Sequence, residues 1–174
     1  GRGIMGDKNI IAAGKPVITD RLGNLKLEIS PASFYQVNTV QMRRLYDKVK
    51  EYCMYCGADE RNSSNNEMPV LPDIYCGVGT IGLYCADIAA SVIGIESVKD
   101  AVIDANRNAV INGIVNARYI CGRAEDVLPA CVANISKGSD NDTDGGSEDT
   151  VMVDKMTDPE LAAQIRSADI AILD

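Results

Sequence analysis

PDIYCGVGTIGLYCADIAASVIGIE, Pro72–Glu96, is the stretch that decides the fold. Val70 to Tyr75 is a short apolar run of the kind that fills a buried strand. Cys76 to Gly79 makes a tight loop. Thr80 to Ala90 carries Ile81, Tyr84, Cys85 and Ile88 at helical spacing, which predicts a helix. Ser91 to Ile95 is a second apolar run, closed by the acid Glu96. The order is strand, glycine loop, helix, strand. Its physics is nucleotide binding. Glycines let a backbone approach a ligand where a Cβ would collide. The helix that follows offers free N–H groups. An acid at the end of the second strand is placed to take two ribose hydroxyls.

Gly77, Gly79 and Gly82 satisfy G-x-G-x-x-G, so a dinucleotide site has to be weighed. In that fingerprint the strand runs apolar almost into the first glycine. Here Asp73 stands four residues before Gly77, with Tyr75 and Cys76 between. An acid, three residues and then G-x-G resembles the first motif of Rossmann-like S-adenosylmethionine-dependent methyltransferases. In that class the early acid orients the loop or the methionine end of the donor, and the later acid holds the ribose. The spacing favours the methyl donor over the dinucleotide. A turn that binds nothing is the third alternative.

DIYCGVGTIGL is more specific when read with SFYQVNTVQMRRLY some forty residues upstream. Together they resemble the RNA uracil-5-methyltransferases, which make 5-methyluridine in tRNA and ribosomal RNA. The resemblance continues through VIGIESVKDAVIDANRNAVINGIVNARYICGRAEDVL and ends at ADIAILD. It implies a partial Rossmann-like α/β fold, the first four strands of the sheet, with an N-terminal β-hairpin and helix. It implies S-adenosylmethionine as donor and S-adenosylhomocysteine as product. The donor-binding set it implies is Gln36, Asp73, Tyr75, Gly77, Gly79, Thr80, Glu96 and Asp174. Gln36 takes its role from F-x-Q-x-N, and Asp174 from the acid that opens the family's D-P-P-R segment. RNA is the implied partner, ribosomal RNA in preference to tRNA.

At 174 residues the chain is one domain or part of a larger protein. The expected division is an accessory segment over 1–33 and a donor-binding domain over 34–174. No run approaches the length of a membrane span. Six cysteines without a secretory signal point to free thiols and a reducing, cytoplasmic compartment. Cys53 and Cys56 form a lone C-x-x-C, and the chain has no histidine, so a metal site is not expected. Net charge is −8, yet residues 1–50 hold nine Lys/Arg against four Asp/Glu. That basic third faces either phosphates or simply water.

Along the chain, Asn9 to Ala13 is a strand candidate. Pro16 to Thr19 and Leu25 to Ile29 flank a hairpin turn at Leu22-Gly23-Asn24. Asn38 with Gln41 makes a capping box for a helix that runs to about Cys56, buried along Met42, Leu45, Tyr46, Val49, Tyr52 and Cys53; for Asn38 a role in the F-x-Q-x-N motif and capping alone stand as equal alternatives. Phe34 is expected in the core or beside an entering base, the core preferred. Pro72 removes a ladder donor and is expected to delay strand pairing. Ser97 is a candidate cap for a helix buried along Val98, Ala101, Val102, Ala105, Ala109 and Val110. Ala117 to Cys121 is a third strand. Glu125 or Asp126 meets an adenine or starts a helix, the latter preferred. Lys137 to Thr150 is an acidic low-complexity loop that lacks the closing glutamate of a calcium loop. Asp158 to Ile165 is a short helix and Ala168 to Leu173 a fourth strand.

The resemblance also implies that the family's nucleophilic cysteine and general base lie beyond Asp174. No catalytic residue is therefore assigned. Cys76 matches a loop cysteine that is not the nucleophile. The expectation is a donor-binding fragment, inactive alone, whose fourth strand leaves an open edge for self-association.

Overall fold

The computed structural model describes residues 10–31, 33–57, 68–133, 158–168 and 170–173. Two strands open it, β1 (Ile18–Leu22) and β2 (Leu25–Ile29), paired antiparallel around Gly23-Asn24. Helix α1 (Thr39–Gly57) follows, then β3 (Val70–Ile74), α2 (Thr80–Cys85) with a 3₁₀ turn over Ala86–Ile88, and β4 (Ser91–Glu96). Helix α3 (Lys99–Ile111), β5 (Ala117–Cys121), α4 (Ala124–Ala133), α5 (Pro159–Ser167) and β6 (Ile172–Leu173) complete it. The four later strands form a parallel sheet in the order β5-β4-β3-β6. Sequence order reverses at β3, so a crevice opens beside its C-terminal end, where α/β sheets bind ligands.

The sheet is buried on both faces, and its side chains alternate between them. Leu71, Val92 and Tyr119 point into a core shared with α1, α2, α3 and the hairpin. Ile74, Ile93, Ile95 and Ile120 point into a second core beneath α4 and α5. Leu22, Leu27 and Ile29 join the first core, so the hairpin and the sheet share one apolar cluster.

Two polar side chains on α3 and that of Asn112, which caps its C-terminus, attach the hairpin. Asn112 accepts from the Lys26 N–H at 2.8 Å and donates to its carbonyl at 2.8 Å. Asn108 accepts from the Glu28 N–H at 2.8 Å and donates to its carbonyl at 3.2 Å. Asp104 accepts from the Ser30 N–H at 2.7 Å and the Ser30 hydroxyl at 2.8 Å. Residues four apart lie on one helix face. The file Asp104-Asn108-Asn112 therefore runs along β2 and completes its open edge as a strand would. An unpaired edge is otherwise a liability.

Several expectations change. Residues 10–12 carry no strand, because nothing pairs with them among the described residues and Ile10 is 91% exposed. Pairing of β3 is not delayed by Pro72: the ladder runs from Val70 opposite Ser91, with Pro72 opposite Ile93. Leu45 and Tyr52 on α1, and Val98 and Val110 at α3, are exposed, because each helix buries a narrower stripe than the apolar pattern suggests. The burial those positions lack on α3 falls to Asp104 and Asn108. The predicted fourth strand forms over Ile172–Leu173 only. Asn9, the 137–150 loop and Asp174 lie outside the described residues.

Candidate functional site

The loop after β3 is built from left-handed backbone. Tyr75, Gly77 and Gly79 have φ of 62°, 52° and 77°. Glycine adopts such angles without strain, whereas a tyrosine does so at a cost of about 1–2 kcal/mol. Strained residues of that kind cluster where ligands bind. The loop is held from below. Asp73, fully buried, accepts from the Gly82 N–H at 3.0 Å and ties α2 to the end of β3. From above, the Glu96 carboxylate accepts from the Gly77 N–H at 3.1 Å.

A pocket of about 250 Å³ opens over this loop, lined by Phe34, Tyr35, Gln36, Tyr46, Tyr75, Cys76, Gly77, Val78, Thr80 and Glu96. Two separate parts of the sequence meet there. F-x-Q-x-N leads into α1, and its first three residues form one wall; the glycine loop forms the floor. Of the expected residues, Gln36, Tyr75, Gly77, Thr80 and Glu96 line the pocket. Asp73 and Gly79 stand behind it.

Gly79 is also packed from below. A Cβ there would lie 2.6 Å from Cζ of Tyr119. The same ring would meet a Cβ on Gly94 at 2.1 Å. Tyr119 lies under the loop, and its hydroxyl donates to the Gly79 carbonyl at 3.2 Å. Burial first, then the nearby Asp73 carboxylate, raises the Tyr119 pKa well above the ordinary tyrosine range. Nothing in the sequence marks Tyr119 as the partner of two glycines.

Glu96 has an arrangement suited to a diol. Its Oε1 accepts from the Val98 N–H at 2.8 Å and the Ser97 hydroxyl at 3.1 Å, while among the described residues Oε2 accepts only from Gly77. A carboxylate offers about four lone-pair sites. One is open on Oε2, and rotation of the Ser97 hydroxyl opens another on Oε1. The start of α3 is thus held by Glu96, and Ser97, expected as its cap, makes no cap bond there.

Phe34 is 76% exposed at the pocket mouth, not in the core. Asn38 caps α1 as expected, its Oδ1 accepting from the Gln41 N–H at 3.2 Å. Tyr75 donates from its hydroxyl to Glu125 at 3.3 Å, and Glu125 sits in the first turn of α4. Tyr35 and Tyr46 line the pocket although their sequence pattern marks neither for a site. The Tyr46 hydroxyl lies 3.2 Å from that of Thr80. Tyr35 donates to Asp20 at 2.9 Å, and burial followed by that bond raises its pKa. Among the described residues no group of His, Cys, Asp or Glu could hold a metal ion.

No family model matches the chain. Curated relatives do. An uncharacterized RNA methyltransferase of Caldanaerobacter subterraneus subsp. tengcongensis is 47% identical over 122 residues, 70% of this chain and 25% of that protein. One of Enterococcus faecalis is 47% identical over 131 residues, 75% of this chain and 26% of that protein. The chain thus spans about a quarter of the length of these relatives. Among solved structures, the Pyrococcus abyssi tRNA (uracil-54, C5)-methyltransferase in complex with S-adenosyl-L-homocysteine matches with a TM-score of 0.50 and 34% identity. That match covers 63% of this chain and 24% of the other. A SAM-dependent methyltransferase of Agrobacterium tumefaciens matches at TM-score 0.52 and 17% identity, over 70% of this chain and 37% of the other, a likeness of fold. By sequence the chain is a homologue of one segment of the RNA methyltransferases, and its fold is that of the S-adenosylmethionine-dependent methyltransferases.

Proposed function

We propose that this chain is the donor-binding part of an RNA uracil-C5 methyltransferase that takes its methyl group from S-adenosylmethionine. The observation that carries the reading is the pocket itself, where the Phe34–Gln36 segment and the Tyr75–Thr80 loop close on Glu96. The resemblance of both motifs to one family is matched by their convergence in space. A pocket of about 250 Å³ is smaller than the roughly 300–1,000 Å³ of most small-molecule sites. It fits one part of the donor.

The residues present suit that group. Glu96 has acceptor capacity for ribose hydroxyls, and Gly77 presents backbone with no side chain over the floor. Gln36 is the donor contact that the resemblance implies on the opposite wall. Asp73 and Gly79 act from behind, by holding the loop. Asp174 belongs to the proposed set from its family position. When bound, the donor supplies an electrophilic methyl on a sulfonium. Uracil C5 is a poor nucleophile, so the full-length enzyme needs a thiolate to add at C6 and a base to take the C5 proton. We assign both to parts of the parent protein outside this chain, with residues 34–174 as the donor domain and 1–33 as its accessory segment.

For the whole protein the proposed substrate is ribosomal RNA, acted on in the cytoplasm. The choice of ribosomal RNA rests on the family resemblance of the motif region alone; the Pyrococcus enzyme, which is named for tRNA, supports C5 of uracil as the target atom. Among the described residues no helix is long and apolar enough to cross a membrane. The edge at β6, where Leu173 is 76% exposed, is the proposed surface for self-association. Calorimetric titration of the chain with S-adenosylhomocysteine, with NAD as control, tests the donor reading. Binding of the first alone is expected; preference for NAD would overturn it.

A further inference from the structure

We propose that a second cleft, between the β1–β2 turn and the first turns of α1, binds the phosphodiester backbone of the RNA that flanks the target base. The proposal rests on the RNA reading above. The cleft is the larger of the two, about 440 Å³, and is lined by Gly23, Thr39, Val40, Arg43, Arg44 and Asp47. Its one acid is engaged: Asp47 accepts from the Tyr84 hydroxyl at 2.5 Å, and Arg43 lies beside the same hydroxyl. Arg44 is exposed, and among the described residues no carboxylate pairs with it.

The hairpin carries further basic charge on its face away from the cleft, opposite the face on which Asp20 meets Tyr35 and Thr39. Arg21 and Lys26 stand directly opposite each other in the β1–β2 ladder, two and three residues from Gly23. Like charges directly opposite each other destabilise a hairpin. Lys26 has a partial partner in Glu28 at 3.5 Å; among the described residues Arg21 has none. The charge is local. Residues 10–57 hold seven Lys/Arg against four Asp/Glu, whereas 68–133 hold four against seven. A chain of net charge −8 repels polyanions generally, so this basic region is where one would be admitted.

Connectivity places the cleft correctly. Gln36 lines the donor pocket and Thr39 lines the cleft. Three residues of extended chain span at most about 11 Å. A base presented at the donor pocket would therefore carry its neighbouring phosphates past Arg43 and Arg44. Arginine suits that task through its forked geometry.

The test is fluorescence anisotropy of a short, uridine-containing single-stranded RNA with the whole chain, over a salt series. The variant is Arg43→Gln with Arg44→Gln, the two cations that line the cleft, both exposed and outside the donor pocket; Arg44→Gln is also measured alone because Arg43 touches Tyr84. Each phosphate contact on a single strand contributes about 0.7 to the salt slope. Loss of two should lower the slope by about 1.4 and weaken binding roughly 25-fold at about 0.1 M salt. Unchanged affinity and slope in the double variant, or no RNA binding by the parent chain, would overturn the proposal. S-adenosylhomocysteine titrated into the same samples should bind equally in both, so failure of the donor site is read separately from failure of the cleft.

Discussion

Replacing Asn108 with alanine tests whether α3 substitutes for a strand along β2. The Asn108 side chain is fully buried and makes three hydrogen bonds, to the Glu28 N–H, the Glu28 carbonyl and the Val78 carbonyl. Truncation removes all three and leaves the partner groups where water has little access. A hydrogen bond contributes about 1 kcal/mol net, and a buried group left unsatisfied costs about 1–3 kcal/mol. The expected loss is about 3 kcal/mol, a large part of the 5–15 kcal/mol typical of a domain. Asn112 supplies the control. It makes the equivalent pair of bonds to Lys26, and one to the Asn108 carbonyl, in a half-exposed position where water replaces the amide, so Asn112→Ala should cost about 1 kcal/mol. Urea unfolding measures both. Hydrogen exchange at the Glu28 amide should accelerate selectively in Asn108→Ala. Equal destabilisation by the two substitutions, or an unchanged Glu28 amide, would refute the edge-completion argument.

Glu96→Ala should weaken S-adenosylhomocysteine binding tenfold or more, from the loss of charge-assisted acceptors at about 1.5–3 kcal/mol; unchanged calorimetric affinity would remove Glu96 from the site. Gly79→Ala should destabilise the chain, because its Cβ would strike the Tyr119 ring at a φ of 77°. Adding Tyr119→Ala should recover the steric part but not the backbone strain, and a chain as stable as the parent after the single change would show that the ring moves freely. Tyr119 also sets an alkaline limit. Its raised pKa means the folded state holds the neutral phenol more tightly than the unfolded chain does. That stability is complete below the unfolded value near 10 and falls as pH rises above it, by about 1.4 kcal/mol per pH unit. Tyr119→Phe should flatten that part of a urea-midpoint profile; an unaltered slope would place the titration elsewhere.

Local pattern determined much of this protein. Apolar runs bounded by Pro, Gly and Glu located β3, β4 and β5, and the βαβ order implied a parallel sheet, because parallel strands need a crossover. Asn38 was legible as a cap because capping acts over three residues. The spacing of Asp73, Gly77, Gly79 and Glu96 identified the loop and its two acids. What escaped the sequence depends on partners distant along the chain. No sequence signal marks Asp104, Asn108 or Asn112 for the hairpin, and only the packed structure shows that they face backbone more than seventy residues away. Gly79 read as room for a ligand, and only the tertiary structure shows that Tyr119 packs against it as well. Phe34, an aromatic with a default place in the core, lies at the pocket mouth because the segment before α1 lies over the glycine loop. Periodicity reports which face of an element is apolar; which neighbour meets that face, and which polar groups must then be satisfied, is settled by the way the layers pack.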